Sequence, residues 1–216
     1  MKLVARLVLI AVALVAVLFV LLRDYCPKFG FALNKQRSDF HQLKNRLALP
    51  QQSDFNSLVT LERLLQPTDD RSRWSTSRAA QVEGYVVSVE SGPLEAANCY
   101  CRRDMHIMIA PRLDAAPREQ VVLEVTPRIK ATKQAQTLDL RVASPDAQAP
   151  NVDSLKDWSL ETVKRDLTGR RVRFEGWLFF DSSHAAESEN TAPGRANNWR
   201  ATAWELHPVT KIEILK

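Results

Sequence analysis

RRVRFEGWLFFD, residues 170–181, has the composition of a β-strand with a glycine at its centre. Its Glu-Gly-Trp triplet has a counterpart in the Glu-Gly-Tyr of residues 83–85, which lies inside a second strand-like run, QVEGYVVSVE (81–90). Glycine within a strand costs stability unless the chain must bend or another backbone must approach closely. Two such placements predict strands that curve strongly enough to close a small barrel.

Three further strand-like runs and one helix-like run complete the pattern. The strand-like runs are DMHIMIA (104–110), EQVVLEVTP (119–127) and ATAWELHPVTKIEIL (201–215). The helix-like run is SLETVKRDLTG (159–169), which ends on a glycine. Three strands, a helix and two strands is the order of an OB-fold, so the sequence predicts a mainly β protein with a five-stranded OB-fold-like barrel. An open α+β sheet is the alternative.

The chain begins with a basic and then an apolar segment. Lys2 and Arg6 precede residues 7–22, which contain no polar side chain and would cover about 24 Å of a bilayer. This pattern predicts a transmembrane signal anchor at residues 1–25, with the N-terminus in the cytoplasm. The expected location is the bacterial inner membrane, with a single pass and the C-terminal domain in the periplasm or exterior. A cleaved signal peptide is the alternative.

The remainder divides into a polar segment with helical islands, residues 26–78, and the OB-fold-like domain, residues 79–216. Within the first, FNSLVTLERLL (55–65) has leucines at helical spacing, which predicts a short amphipathic helix lying on the barrel. Ser53 and Asp54 are its candidate N-caps.

The strand segments also carry a family resemblance. VEGYVVSVE, ANCYC followed by DMHI, VRFEGWLFFD and WELHPVTKIEI resemble an uncharacterised family of exported or membrane-anchored bacterial OB-fold-like proteins. These proteins have an Asn-Cys, then an Asp-x-His, and a Trp-Glu-x-His-Pro-Val ending. The resemblance covers about residues 80–215 and implies the fold without assigning a reaction. Cys101 departs from the pattern, which argues against a simple one-thiol role for Cys99.

Two carboxylate-x-His pairs lie on predicted strands. Strand alternation places Glu205 and His207 on the face opposite Trp204, and likewise places Asp104 and His106 outward on the second strand. Imidazole and carboxylate bind zinc and other divalent metals, so the four residues are candidate metal ligands or acid–base groups. In an OB-fold the third strand separates the second from the fifth, which predicts that the two histidines do not share an ion.

Pro208 gives the last strand an expected irregularity. Proline removes a ladder donor and holds the preceding residue in an extended conformation. We therefore expect a bulge or a sheet edge at this point, with His207 as an edge histidine satisfied by a neighbouring carboxylate or backbone group.

The cysteines leave several alternatives open. Cys99, Cys101 and His106 have the donor types for copper or zinc, but their spacing matches no strong signature. A disulfide from Cys26 to either of the other cysteines requires the helical segment to fold back, and inert or reduced thiols are the third alternative. No cofactor is expected; the residues considered for a divalent metal are Cys99, Cys101, His106 and His207.

A second candidate site is an outward surface with aromatic residues, formed by Tyr85, Trp177 and Phe179 with Arg173, which could stack a sugar or a base. Cover by the 55–65 helix is the alternative. The formal charge of +5 comes from scattered Lys and Arg, which does not favour a nucleic-acid partner.

These features predict a membrane-anchored binding or interaction module for a protein or glycan, which would use loops 91–103 and 181–201. The alternative is a metal-dependent hydrolase, so whether the protein is an enzyme stays open. The candidate functional residues are Asn98, Cys99, Asp104, His106, Glu205 and His207.

Overall fold

The computed structural model describes residues 2–24, 26–134, 155 and 157–215. Five strands form one sheet: β1 Ala79–Leu94, β2 Arg103–Ala110, β3 Val121–Val125, β4 Arg171–Phe180 and β5 Trp204–Ile214. The sheet closes on itself in the order β1-β2-β3-β5-β4. Only the β3–β5 pair in this sheet is parallel; the other neighbouring strands are antiparallel. The mainly β architecture is confirmed.

Helices precede the sheet and connect its strands. They are α1 Lys2–Asp24, α2 Lys35–Lys44, α3 Leu61–Leu64, the helical residues 127–134 (α4), and α5 Leu160–Leu167. Short 3-10 turns lie at Gln52–Asp54, Ala96–Asn98, Pro117–Glu119 and Ser182–Glu187. The helix expected between the third and fourth strands is α5, which begins where the Ser159 hydroxyl accepts a hydrogen bond from the Thr162 amide at 3.2 Å. It ends before Gly169, whose φ of +82° suits glycine.

The membrane anchor predicted at residues 1–25 is wrong. Lys2–Asp24 is helical, but no helix among the described residues is long and apolar enough to cross a membrane. The predicted single-pass location in the bacterial inner membrane, with the C-terminal domain in the periplasm or exterior, is therefore wrong as well.

The inner faces of the strands supply the hydrophobic core. Its strand residues include Val82, Val86, Val89, Ile107, Ile109, Leu123, Val172, Phe174, Leu178 and Leu206. Trp204 also belongs to this core; it is 2% exposed and its ring lies 5.3 Å from that of Phe180. The Trp204 indole N–H donates to the carbonyl of Asp70 at 2.7 Å, which satisfies its one polar atom.

Both mid-strand glycines lie where another element approaches closely. A Cβ on Gly84 would come within 2.9 Å of Leu61 Cδ2, and a Cβ on Gly176 within 2.6 Å of the Pro208 carbonyl oxygen. The β4–β5 register shifts on both sides of Gly176, so the irregularity expected near Pro208 is a bulge. Leu206 and Val209, three residues apart on β5, both belong to the core, as an extra residue in this strand requires.

The helix predicted over residues 55–65 is largely absent from this described part of the chain. Only α3 is helical there, and its N-cap is Thr60, whose hydroxyl accepts from the Arg63 amide at 3.3 Å. The Asn56 side chain accepts a hydrogen bond from the Leu58 amide at 3.0 Å, a local turn that competes with an earlier helix start. Ser53 and Asp54 are therefore not the caps of this helix.

Replacing the core tryptophan tests this packing. Trp204→Ala is expected to lower the free energy of unfolding by about 3–5 kcal/mol, because it leaves a cavity in the core. The control is Leu58→Ala, at a side chain that is 68% exposed, with an expected change within about 0.5 kcal/mol. Urea unfolding followed by circular dichroism measures both, and equally mild effects would contradict the core position of Trp204.

Candidate metal centre

A group of charged side chains lies on the outer face of β2, β3 and β5. Their inner-face neighbours belong to the core, so strand alternation turns Asp104, His106, Glu124, Glu205 and His207 away from it. His106 lies opposite Glu124 in the β2–β3 ladder. We call these five residues the outer cluster.

The helix α2 covers the outer cluster. Phe40 of α2 has its ring 4.9 Å from that of Phe179, which in turn lies 5.2 Å from the His207 imidazole. Four members are at most 3% exposed: Asp104, Glu124, Glu205 and His207. Charged groups removed from water in this way need opposite charges, protons or a metal ion close by.

Glu124 joins the two carboxylate-x-His pairs. Its Oε1 lies 3.2 Å from His106 Nε2, and its Oε2 lies 3.1 Å from His207 Nδ1. His207 Nδ1 is also 3.2 Å from Glu205 Oε2, within hydrogen-bonding geometry. The expected separation of the second and fifth strands by the third is confirmed. The intervening strand supplies the residue that bridges them.

Two buried cations face the cluster. Arg200 Nη2 lies 2.7 Å from Glu205 Oε1, and both side chains are at most 1% exposed. Lys44, at the end of α2, has its Nζ 2.5 Å from Glu95 Oε2 and is 4% exposed. The buried carboxyl groups of this region are Asp104, Glu124, Asp181 and Glu205. Among the described residues here, buried carboxyl groups therefore outnumber buried Lys and Arg.

The pKa values in the cluster are moved in different directions. Burial and the neighbouring Glu205 raise the pKa of Glu124 well above its usual value. Burial also acts to raise the pKa of Glu205, but the Arg200 guanidinium and the contacts with His207 together outweigh it, and the net direction is downward. Burial lowers the pKa of His106. Burial opposes the charge of Lys44, yet the surrounding carboxylates raise its pKa. Lys44 and Glu205 are held charged, and Glu124 retains a proton more readily than an exposed carboxyl.

Asp104, Glu124 and His207 form a group that could hold a metal ion. One ligand atom from each lies within 4.8 Å of the other two. Asp104 Oδ1, Glu124 Oε2 and His207 Nε2 have no hydrogen-bond partner among the described residues, although Glu124 Oε2 approaches His207 Nδ1. Buried polar atoms rarely lack a partner. A cation held by the three residues would supply a partner that this buried group lacks.

Most of the candidate residues predicted from the sequence belong to the outer cluster or contact it. Its predicted members are Asp104, His106, Glu205 and His207. Asn98 contacts it, because Asn98 Nδ2 donates to Asp104 Oδ2 at 3.0 Å. His207 contacts the expected carboxylate, but it is not at an edge, because β5 pairs with β3 on one side and β4 on the other.

The cysteines lie next to the centre without entering it. Cys99 is bonded to Cys26 in a disulfide, so neither offers a thiolate to a metal. Cys101 lies outside this disulfide, and its thiol donates to the Asn98 carbonyl at 3.2 Å. The fold-back of the N-terminal segment, which the sequence left as one alternative, is what brings Cys26 to Cys99.

Sequence reasoning missed Glu124, Arg200 and Lys44. Glu124 is the only charged residue within β3 and shares the outward parity of Val122, a signal that could have identified it. Arg200 and Lys44 reach the cluster from a loop and from α2. No local pattern indicates those contacts.

The four residues of the predicted aromatic surface lie in different environments. Tyr85 is 36% exposed at the far end of the β1–β4 ladder from Trp177. Trp177 is buried, and its indole N–H donates to the carbonyl of Ala48 at 2.7 Å. Phe179 is fully buried beneath α2, while Arg173 is ion-paired with glutamates of β1 and β5. The cover comes from α2 and the residues after it rather than from the 55–65 segment.

An open groove of about 460 Å³ lies beside Lys44. Residues of α2 and of the loops 91–103 and 181–201 line it, including Glu95, Asp181 and His184. His184 Nδ1 lies 2.6 Å from Asp181 Oδ2. This hydrogen bond raises the pKa of His184, against the effect of burial.

No protein-family model, curated protein or solved structure matches the chain. The resemblance to an exported OB-fold-like family therefore stays a prediction. Any function has to be argued from the geometry of the site.

The Asp181–His184 pair gives a pH-dependent prediction. Asp181→Asn is expected to lower the pKa of His184, because it removes the carboxylate that raises it. A histidine pKa that is raised by folding adds stability below about pH 6.5, its unfolded value, and that contribution is lost as the pH rises through the folded value. The variant should therefore lose more stability at pH 6 than at pH 9.

Proton NMR titration of the imidazole and urea unfolding at the two pH values measure these effects. Asp114→Asn, at a side chain that is 86% exposed, is the control. An unchanged His184 pKa in Asp181→Asn would contradict the assignment.

Proposed function

We propose that this protein binds a divalent transition-metal ion through Asp104, Glu124 and His207. The observation that supports the proposal is that one ligand atom from each of these three buried residues lies within 4.8 Å of the other two. Each of the three residues also has a buried side-chain atom with no hydrogen-bond partner among the described residues. One imidazole nitrogen and two carboxylate oxygens suit Zn²⁺ or Mn²⁺, whereas Ca²⁺ and Mg²⁺ prefer oxygen ligands alone.

The groups around the three ligands support the same proposal. Metal-bound histidines usually give their second ring nitrogen to a carboxylate, which fixes the ring orientation. Glu205 contacts His207 Nδ1 in this way and leaves Nε2 for the ion. Asn98 likewise holds Asp104 Oδ2 and leaves Oδ1.

Charge balance also favours a cation. Asp181 has His184 as its partner, so the carboxyl groups to be balanced by Lys44 and Arg200 are Asp104, Glu124 and Glu205. When all three are ionised they exceed the two cations, and a divalent ion would offset the excess. Glu124 would have to lose any proton it retains, because a ligand carboxylate binds metal in its ionised form.

Metal binding is better supported than metal-dependent hydrolysis. The three ligand residues are at most 3% exposed, so a substrate would reach an ion there only if α2 moved. Binding requires only that the ion itself enter, with no room for a substrate beside it. The order of the strands, with α5 between β3 and β4, supports an OB-fold-like barrel as the scaffold.

A second candidate function, binding of a protein or glycan partner, is favoured by the groove beside Lys44. Both loops predicted to bind a partner, 91–103 and 181–201, line it. Phe31 and Tyr100 also line it and are 40% and 53% exposed. Exposed aromatic rings of this kind can stack against a sugar or anchor a partner side chain.

Removing ligand atoms tests the metal proposal. Glu124→Gln, Asp104→Asn and His207→Ala should each weaken Zn²⁺ or Mn²⁺ binding by more than about 100-fold, because even residues that only position ligands cost about 10–100-fold. Glu175→Gln is the matched control, since Glu175 lies on β4 and pairs with Lys211 at 2.9 Å.

Isothermal titration calorimetry with ZnCl₂ and MnCl₂ measures each dissociation constant. The absence of stoichiometric binding by the native chain would contradict the proposal. So would ligand variants that bind as tightly as Glu175→Gln.

A further inference from the structure

The disulfide lies between the cover of the metal centre and a residue that positions one of its ligands. It joins Cys26 to Cys99 across 73 residues of sequence. Cys26 precedes the segment that leads into α2, and Cys99 directly follows Asn98. One covalent bond thus ties together two segments that reach the same centre.

At its Cys99 end, the disulfide joins the loop of residues 95–101, which positions Asp104. Asn98 is 4% exposed, and its amide donates to Asp104 Oδ2. Cys99 and Tyr100 have φ values of +55° and +52°, in the left-handed region that non-glycine residues rarely adopt. Such residues keep this conformation only where the surrounding contacts determine it. The position of Asn98 therefore depends on contacts made by residues 95–101.

On the cover side, the same loop receives contacts from α2 and the residues around it. The Phe31 amide donates to the Ala96 carbonyl at 2.8 Å, and Asn45 Nδ2 donates to the Ala97 carbonyl at 2.9 Å. Lys44 Nζ lies 2.5 Å from Glu95 Oε2. These contacts hold only while the N-terminal segment is folded back, which is the arrangement that the disulfide fixes covalently.

We propose that the Cys26–Cys99 disulfide controls the metal affinity of this centre, an inference that rests on the proposed function. In the disulfide form, α2 and residues 95–101 are held together, and the hydrogen bond from Asn98 keeps Asp104 in the orientation that binds the ion. Reduction releases the N-terminal segment, Asn98 loses its fixed position, and the ion binds more weakly. The disulfide is thus a redox switch acting through a positioning residue.

The switch requires a dithiol reductant. A thiolate of the reductant attacks one sulfur of the pair, which breaks the protein S–S bond, forms a mixed disulfide and releases the other cysteine as a thiolate. The second thiol of the reductant, as its thiolate, then attacks the mixed disulfide, forms the reductant's own S–S bond and releases the remaining cysteine. Two electrons and two protons pass to the protein, which leaves Cys26 and Cys99 as thiols.

The test compares full-length variants with and without the bond. Cys26→Ser combined with Cys99→Ser removes the disulfide without adding thiolate ligands. Glu175→Gln is the control that retains the disulfide, since Glu175 lies on β4 and pairs with Lys211 outside the loop of residues 95–101. We expect Mn²⁺ binding, measured by calorimetry, to weaken about 10-fold or more in the double variant, as for loss of other ligand-positioning contacts. The control should bind like the native chain.

Asn98→Ala separates positioning from general stability. Alone it should weaken binding by about 10–100-fold. In the double-serine background it should add little, because residues in one linked network have non-additive effects. A disulfide that only stabilised the fold would lower the thermal midpoint, yet leave binding by the folded protein and the full effect of Asn98→Ala unchanged.

The outcomes distinguish the two proposals. If the native chain binds no metal, the proposed function fails and the switch fails with it. If the native chain and the folded double-serine variant bind with equal affinity, only the switch is overturned. Should the double variant not fold, the native chain reduced with dithiothreitol and desalted without oxygen is compared with its oxidised form, and equal Mn²⁺ affinity again overturns the switch.

Discussion

The burial of Glu124 between two histidines is the constraint on which the organisation of this protein depends. A carboxyl group that is 3% exposed must find protons, cations or hydrogen-bond donors nearby. β3 carries it between β2 and β5, so both carboxylate-x-His pairs face it. Arg200 from a loop and Lys44 from α2 bring positive charge to the same region. The outer face of the sheet, beneath α2, is therefore held together by charged groups, while the inner face is held together by apolar packing.

These two faces of one sheet have different physical requirements. The inner face is apolar and is complete without any residue of the outer cluster. Buried ion networks often stabilise a protein no better than apolar residues of similar volume. The outer cluster therefore adds little that a fold of this kind requires. Its unsatisfied ligand atoms are more readily explained by an ion than by packing.

The sequence predicted what depends on local pattern. The five strands, α5 and the close approaches at Gly84 and Gly176 follow from alternation, capping and the cost of glycine in strands. Strand parity also placed Glu205 and His207 on the outer face. Long-range contacts could not be read in this way, because Glu124 joins the cluster only once β3 lies between β2 and β5. The fold-back of the N-terminal segment, which brings Cys26 to Cys99, is also a long-range contact that no local sequence pattern predicts.

Lys44 links the cover to the charge of the centre. Its ammonium group interacts with Glu124 and Asp104 while it is in contact with Glu95. A divalent ion at the centre would attract the same carboxylates and repel this ammonium. The contact with Glu95 gives this ammonium a counter-charge outside the three ligand residues, which reduces its competition with the ion for Glu124 and Asp104. The disulfide fixes α2 and the loop of residues 95–101 relative to each other, so it preserves the Lys44–Glu95 contact. Because coupling between two such events is reciprocal, an arrangement that keeps Lys44 on Glu95 also favours the ion.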